Sequence, residues 1–481
     1  MASGDFSDSQ SMEAAKGKTI PSLNLRTMFR LGLFQMGLGI MSVLALGILN
    51  RVMIADLRID AAIAAGALAM HQFVAPVRVW FGQMSDAKPL MGYHRTGYVW
   101  TGAALFCIIS FFAVQIMWQL GYAVRAAGGW VGTPETYGWA ALLGVIFALY
   151  GLALSMSSTP FAALLVDVSE EENRSKLVGI VWSMLMVGIV LGAIIGGVLL
   201  RSVGAEPSIE DLQAGINPLF VIVPAAVFGL AVISTFGVEK KYSFYTSRST
   251  LVNREDKITL GRALRILTAS RQTGIFFSFL LVMSISLFMQ EAVLEPYGGE
   301  VFNMPVADTT KLNAFWGIGT LIGISSTGFL IVPRLGKRNT TKLGCFAVAI
   351  CFLMIILSGF TQNPKVLQLG LFLFGLSSGV ATNGAISLML DLTAAETAGT
   401  FIGAWGLAQA MARGLAIVAG GAVLSVGKTI FPNLVLAYGL VFGLQAVGMM
   451  LAIWFLGRVN VKEFRDTAKT AIASVIESEL D

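Results

Sequence analysis

The feature that decides the fold class is a set of apolar runs, each about as long as a bilayer is thick. A hydrocarbon core takes about 20 apolar residues in helical form. Twelve runs near that length lie at 31–55, 61–84, 97–120, 138–166, 177–200, 218–237, 273–294, 312–333, 341–360, 366–390, 398–424 and 433–457. In lipid every backbone N–H and C=O must find a partner within the protein, so such runs are helices. Composition agrees. The chain has 481 residues, of which 13% are charged, against roughly 25% in soluble domains. The expected class is an all-α membrane protein with twelve transmembrane helices.

Lysine and arginine set the orientation, because cytoplasmic connections accumulate them. With both termini in the cytoplasm, inside segments hold 24 of the 33 basic residues and outside segments hold 7. Arg78 and Arg413 remain within spans. The formal charge of +5 therefore reads as membrane topology, and nucleic acid is not an expected partner. Residues 1–26 are polar and rich in Ser, Asp and Gly, with no apolar signal region; a disordered cytoplasmic N-terminus is expected. Cys107, Cys345 and Cys351 fall in apolar runs and read as small buried thiols.

The longest internal connection, 238–272, divides six spans from six. The expected organisation is a six-helix bundle over 27–237, a cytoplasmic linker over 238–272, a second bundle over 273–457, and an amphipathic tail over 458–481. Within the linker, Leu260, Ala263, Leu264 and Leu267 share a helical face that Arg262 and Arg265 avoid. This pattern suits an interfacial helix on the cytoplasmic leaflet. Phe464, Ala468, Ile472 and Val475 repeat it in the tail.

Residues 163–200 align without a gap on 387–424, at an offset of 224. Asp167 meets Asp391, Glu172 meets Glu396, Gly179 meets Gly403, and Gly196 meets Gly420; upstream, Gly151 meets Gly375. Six spans separate the copies, so both have the same orientation. A parallel repeat of this kind relates the two halves of major facilitator folds. Gly188, Gly192 and Gly196 recur every four residues, as do Ala404, Ala408, Ala412, Ala416 and Gly420. Small residues at that spacing let helices approach closely in lipid. The connection after span two, "GQMSDAKPLMGYHR", carries Asp86 and Arg95. It resembles the major facilitator signature at that place, with a longer Asp-to-Gly gap and His94 at one basic position. The role expected of it, with Asp167 and Asp391, is an interhelical latch or gate.

Several blocks together are more specific: "LNRVMIADL", "HQFVAPVRVWFGQMSD", "LEPYGGEVF", "LMLDLT" and "GAWGLAQAMARGLA". Jointly they resemble the bacteriochlorophyll/chlorophyll delivery branch of the major facilitator superfamily, the PucC- and LhaA-like proteins, over about residues 28–457. The His-Gln-Phe form of span two is closer to cyanobacterial members. The resemblance implies a membrane assembly factor that handles chlorophyll or a related magnesium tetrapyrrole. It implies pigment-binding proteins of antenna or photosystem as partners, and a thylakoid or intracytoplasmic photosynthetic membrane as location. A secondary transporter of a small organic anion and a non-transporting scaffold stay open as alternatives.

The candidate site residues are polar groups stranded in apolar runs, which mostly face a protein interior or cavity. His71 and Arg78 are seven apart and share a helical face, with Pro76 kinking the helix between them. His71 is a buried histidine bonded to a neighbouring helix, a ligand to chlorin magnesium, or a proton relay. Arg78 snorkels to the inner face, pairs with an acid, or binds an ester or keto oxygen of a pigment. Arg51 and Glu291 close the first helix of each half, so a bridge between them across the halves is expected. In "LEPYGGEVF", Glu295 and Tyr297 are further ligand candidates; Pro296 and the glycine pair should break the helix there. Trp405, Gln409 and Arg413 form a polar stripe in span eleven, with Glu291 as a candidate partner for Arg413. Ser155, Ser158, Thr159, Ser377, Thr382 and Asn383 line a cavity or bond back to their own helices. No P-loop, nucleotide fingerprint, metal-spaced His/Cys cluster or nucleophile triad occurs; enzymatic chemistry is not expected.

Overall fold

The computed structural model describes residues 22–169, 171–201, 203–204, 207–243, 268, 271–392 and 398–460. The expected interfacial helix around Leu260–Leu267 and the amphipathic tail lie outside the described residues. So do most of the polar N-terminal stretch and the acidic turn at 393–397 that holds Glu396. Apart from one isolated bridge between Leu90 and Tyr93, the described residues are helices and turns.

The first half comprises α1 (Leu25–Asp56), α2 (Ala61–Phe73), α3 (Val77–Ala87), α4 (Thr96–Ala126), α5 (Pro134–Asp167), α6 (Glu171–Leu199), α7 (Ile209–Thr235) and the short α8 (Val238–Tyr242). The second comprises α9 (Arg271–Phe288), α10 (Leu294–Phe302), α11 (Val306–Ser326), α12 (Lys337–Thr361), α13 (Pro364–Leu392), α14 (Ala398–Ile430) and α15 (Leu434–Arg458).

Helix starts follow local chemistry. Asn24 caps α1 by accepting from the Thr27 amide at 2.8 Å, and Thr133 and Ser208 begin capping boxes on α5 and α7. Among the described residues ten helices are long and apolar enough to cross a bilayer, against the twelve expected. Span two is interrupted: Val74–Pro76 form a turn between α2 and α3, because Pro76 brings no N–H to the helical ladder. Span eight, α11, carries Asp308, Lys311 and Asn313 in its first two turns, which thin its apolar run.

The lipid-facing sides are plain. Leu343, Phe346, Ile350, Leu353, Leu357 and Phe360 of α12 are all exposed and recur at helical spacing, a stripe that water would penalise and hydrocarbon does not. Inside each half the glycine stripes bring helices together. A Cβ on Gly188 would collide with the Met36 carbonyl oxygen of α1, and one on Gly192 would lie 2.9 Å from the Ile40 Cα. Helix α1 packs on α6, α2 on α5 and α4 on α7; in the second half α9 packs on α14, α11 on α13 and α12 on α15. The halves meet where α2 packs on α14 and α6 on α11.

Their closest junctions cluster at the end that carries the connections after α1 and α10. Asn50 Nδ2 donates to the Ala292 carbonyl at 2.7 Å, and Ser425 donates to Asp60 at 2.8 Å. A Cβ on Gly421 would collide with the Ala61 carbonyl oxygen.

Candidate functional site

A small cavity of about 80 Å³ lies between the halves. Ser42 and Gly47 of α1, Asn313 and Trp316 of α11 and Arg413 of α14 wall it, with Gln290, Glu291 and Glu295. The last three sit where the helix of span seven breaks: α9 stops at Phe288, a 3-10 turn covers Met289–Ala292, and α10 starts at Leu294. The break thus falls earlier than the expected position at "LEPYGGEVF". Pro296 causes no break because it lies in the first turn of α10, where N–H groups have no helical partner.

Arg413 meets Glu291 through two hydrogen bonds, Nε to Oε2 at 2.9 Å and Nη2 to Oε1 at 2.6 Å. The fork geometry fixes both side chains. Its guanidinium carbon also lies 4.9 Å from the centre of the Phe288 ring.

The expected Arg51–Glu291 bridge is corrected. Arg51 is 2% exposed; it pairs with Asp56 at 2.5 Å and donates to the Met304 carbonyl at 3.1 Å. The cause is local. Val52–Asp56 is a π-helix, whose i→i+5 ladder brings residues five apart onto one side. Arg51 thereby finds its acid in its own helix, and Glu291 is left to Arg413.

Glu295 is 4% exposed. Its Oε1 accepts from Asn313 Nδ2. Its Oε2 is buried with no hydrogen-bond partner among the described residues, and so is Trp316 Nε1 on the same cavity. Gly47 makes room for the carboxylate, since a Cβ there would collide with it.

Other candidates fall elsewhere. Tyr297 is fully buried, gives its hydroxyl to the Ile355 carbonyl at 2.9 Å and packs among Phe302, Tyr438 and Phe442. It belongs to the core and not to a ligand site, because α10 turns it away from the cavity. Trp405 is buried edge-on to Phe277. Gln409 is partly buried and does not line the cavity. Asn383 donates to the Ile324 carbonyl at 3.0 Å, and none of the six expected hydroxyl and amide residues lines the cavity.

His71 is buried, and its partners come from its own helix, not a neighbouring one. Nδ1 lies 2.5 Å from the Leu68 carbonyl oxygen and Nε2 lies 2.9 Å from Gln72 Nε2. With Nδ1 donating, the Nε2 lone pair goes to the Gln72 amide. Arg78 is partly buried, and its Nε has no hydrogen-bond partner among the described residues. The turn at Val74–Pro76 separates it from His71, yet Arg413 lies within electrostatic reach of both.

A magnesium tetrapyrrole does not fit this site. A cavity of about 80 Å³ is well under the roughly 300 Å³ of a small ligand pocket. The His71 lone pair that a magnesium ion would need is engaged, and Glu295 faces polar groups in a space sized for a few waters.

The other end of the first half carries an ion network. Arg95 pairs with Asp86 at 2.5 Å and with Asp167 at 2.8 Å, and donates to Ser85 at 2.5 Å. Burial alone would lower the Arg95 pKa, but Asp167 and then Asp86 outweigh it and raise it. Sequence reasoning missed Glu239. From α8 its carboxylate accepts from the amides of His94, Arg95 and Thr96 and so caps α4. The acid after a span and the basic loop were both visible; their meeting across some 140 residues was not. The side chain of Asp391 lies outside the described residues.

The sequence model of the family described as "PUCC protein" matches residues 48–464. "Protein PucC" of Rhodobacter capsulatus is 28% identical over 445 residues, covering 90% of this chain and 91% of its own length. A "Bacteriochlorophyll synthase 44.5 kDa chain" of the same species is 29% identical over 437 residues, covering 88% and 93%. Among solved structures, a bacterial homologue of the iron transporter ferroportin in its inward-facing state superposes with TM-score 0.66 at 15% identity, over 91% of this chain and 99% of that one. The nucleoside transporter NupG does so with TM-score 0.60 at 14% identity, over 91% and 99%. At such identities the likeness is one of fold, that of major facilitator transporters.

Proposed function

This chain belongs to the PucC protein family, and from that premise we propose that it acts in assembling photosynthetic pigment–protein complexes within the membrane. The single observation that carries this reading is the family match over residues 48–464, beside the likeness to a protein named as a bacteriochlorophyll synthase chain. In its finer form, chlorophyll or a precursor passes by way of this protein to antenna or photosystem apoproteins in a thylakoid or intracytoplasmic membrane. The protein contributes binding and handover, not catalysis.

The reading takes the molecule as twelve spans in two parallel six-helix halves, with both termini and the linker in the cytoplasm. Support comes from the packing: the main contacts between helices in the first half, α1 on α6, α2 on α5 and α4 on α7, have mates in the second, α9 on α14, α11 on α13 and α12 on α15. Gly151 lies against the His71 backbone as Gly375 lies against that of Trp316. Because the cavity between the halves, about 80 Å³, is too small for a chlorin, pigment contact is placed at the apolar membrane-facing flanks. His71 and Glu295 are then not magnesium ligands.

Purification in mild detergent from the photosynthetic membrane tests the proposal. Pigment-binding subunits should co-purify, and His71→Ala should leave any chlorin absorption unchanged. A colourless protein without such partners would refute the assembly role. A second reading, transport of a small organic anion, is favoured by one feature: Arg78, whose Nε has no hydrogen-bond partner among the described residues, lies within electrostatic reach of a second cation, Arg413. Uptake of an organic anion into liposomes, lost in Arg78→Gln, would support it.

A further inference from the structure

The buried carboxylate of Glu295 has no task in the assembly reading, and its surroundings are specific. One oxygen accepts from Asn313; the other faces the cavity unpartnered. The charges around it are already matched. On α1, Arg51 is bound to Asp56 and the Met304 carbonyl. Across the cavity, Glu291 holds Arg413. On α11, Asp308 and Lys311 bind each other at 2.7 Å. Farther along α10, Glu300 is held by Lys428 and Tyr438. An ionised Glu295 would thus be a surplus negative charge with no counter-charge of its own, and such burial is costly.

We propose that Glu295 is a proton-binding site whose loading accompanies closure of the two halves. In the closed arrangement seen here the carboxyl is neutral: a proton taken up from bulk solvent as the halves close adds to one carboxylate oxygen, and that O–H donates into the cavity. Glu295 is well placed to sense closure. Gly47 of α1 lies against its carboxylate, and one turn farther along α1 Asn50 bonds across to Ala292. When α1 and α10 part, water reaches the carboxylate and the proton leaves. The proposal is independent of what the protein assembles or carries, so its failure would leave the family-based reading intact.

The test uses the full chain in lipid nanodiscs, with spin labels on Glu210→Cys and Lys365→Cys. These two exposed positions belong to opposite halves. The distance between the labels should lengthen as pH rises from about 5 to about 9, the range in which buried carboxyls titrate. Glu295→Gln, neutral and nearly isosteric, should hold the short distance at every pH; Glu295→Asp should restore the shift. A distance independent of pH in the unaltered chain would overturn the proposal. So would an undiminished shift in Glu295→Gln, or a shift driven by sodium at constant pH.

Discussion

At the scale of single residues, the centre of the protein is a problem in charge pairing at membrane depth. A lone charge there costs about 2.5–3.5 kcal/mol on insertion scales, so each ionisable group needs a named partner. Arg413 has Glu291 in a two-bond fork. Truncating either member strands the other, at about 2 kcal/mol. Arg413→Gln and Glu291→Gln should therefore each lower the thermal midpoint in detergent, and the double variant should lose less than the sum of the two. Additive losses would show that the pair is not coupled. Tyr297→Phe makes a useful contrast. It removes one hydrogen bond to Ile355, worth about 1 kcal/mol, and should leave complex assembly in the host unchanged because the ring sits in the core. Arg413 was legible as a residue needing a partner because nothing near it in sequence explains a guanidinium in an apolar run. Arg51 was not, because its partner depends on a π-helical turn that composition does not reveal.

At the scale of elements, helices begin and meet where particular groups allow. Glu239 caps three successive amides at the start of α4, the task usually given to a residue beside the helix. Glu239→Gln keeps the shape and removes the charge. It should cost about 1 kcal/mol, with hydrogen exchange rising first at the α4 N-terminus. Gly188→Val is expected to be far worse, because the Cβ would enter the Met36 carbonyl. Overpacking of this kind costs about 1–3 kcal/mol and would push α1 from α6, which a label pair across those helices would report. The four-residue glycine spacing made that contact readable in advance. The cap by Glu239 was not readable, because it joins segments far apart in the chain. Likewise, Pro296 signals a break in a sequence window, whereas a proline in a first helical turn is harmless; only the position of the preceding 3-10 turn separates the two cases.

At the scale of the whole molecule, the described halves are held together at one end by short contacts, Ser425 to Asp60 and Asn50 to Ala292. If the protein works by opening that end, linking it shut should stop it. Asp60→Cys with Ser425→Cys, joined by a short thiol cross-linker, should abolish complex assembly in the host, and cleaving the linker should restore it. Full function in the cross-linked state would favour a static scaffold. The sequence made the membrane class, the family and most spans legible, because hydropathy and positive charge act over long windows. It did not reveal the size of the central cavity, which depends on how closely two halves approach and therefore on many small residues acting together.

The two widened turns of α1, Val43–Ile48 and Val52–Asp56, set a constraint on how this chain can vary. Each carries one residue more than the α ladder would hold, and everything beyond is rotated accordingly. Removing a single residue from the first would leave the helix unbroken yet swing Asn50 and Arg51 by about 100°, out of reach of Ala292 and Met304. Insertions and deletions in this stretch should therefore be rarer than substitutions, however conservative in hydropathy they look.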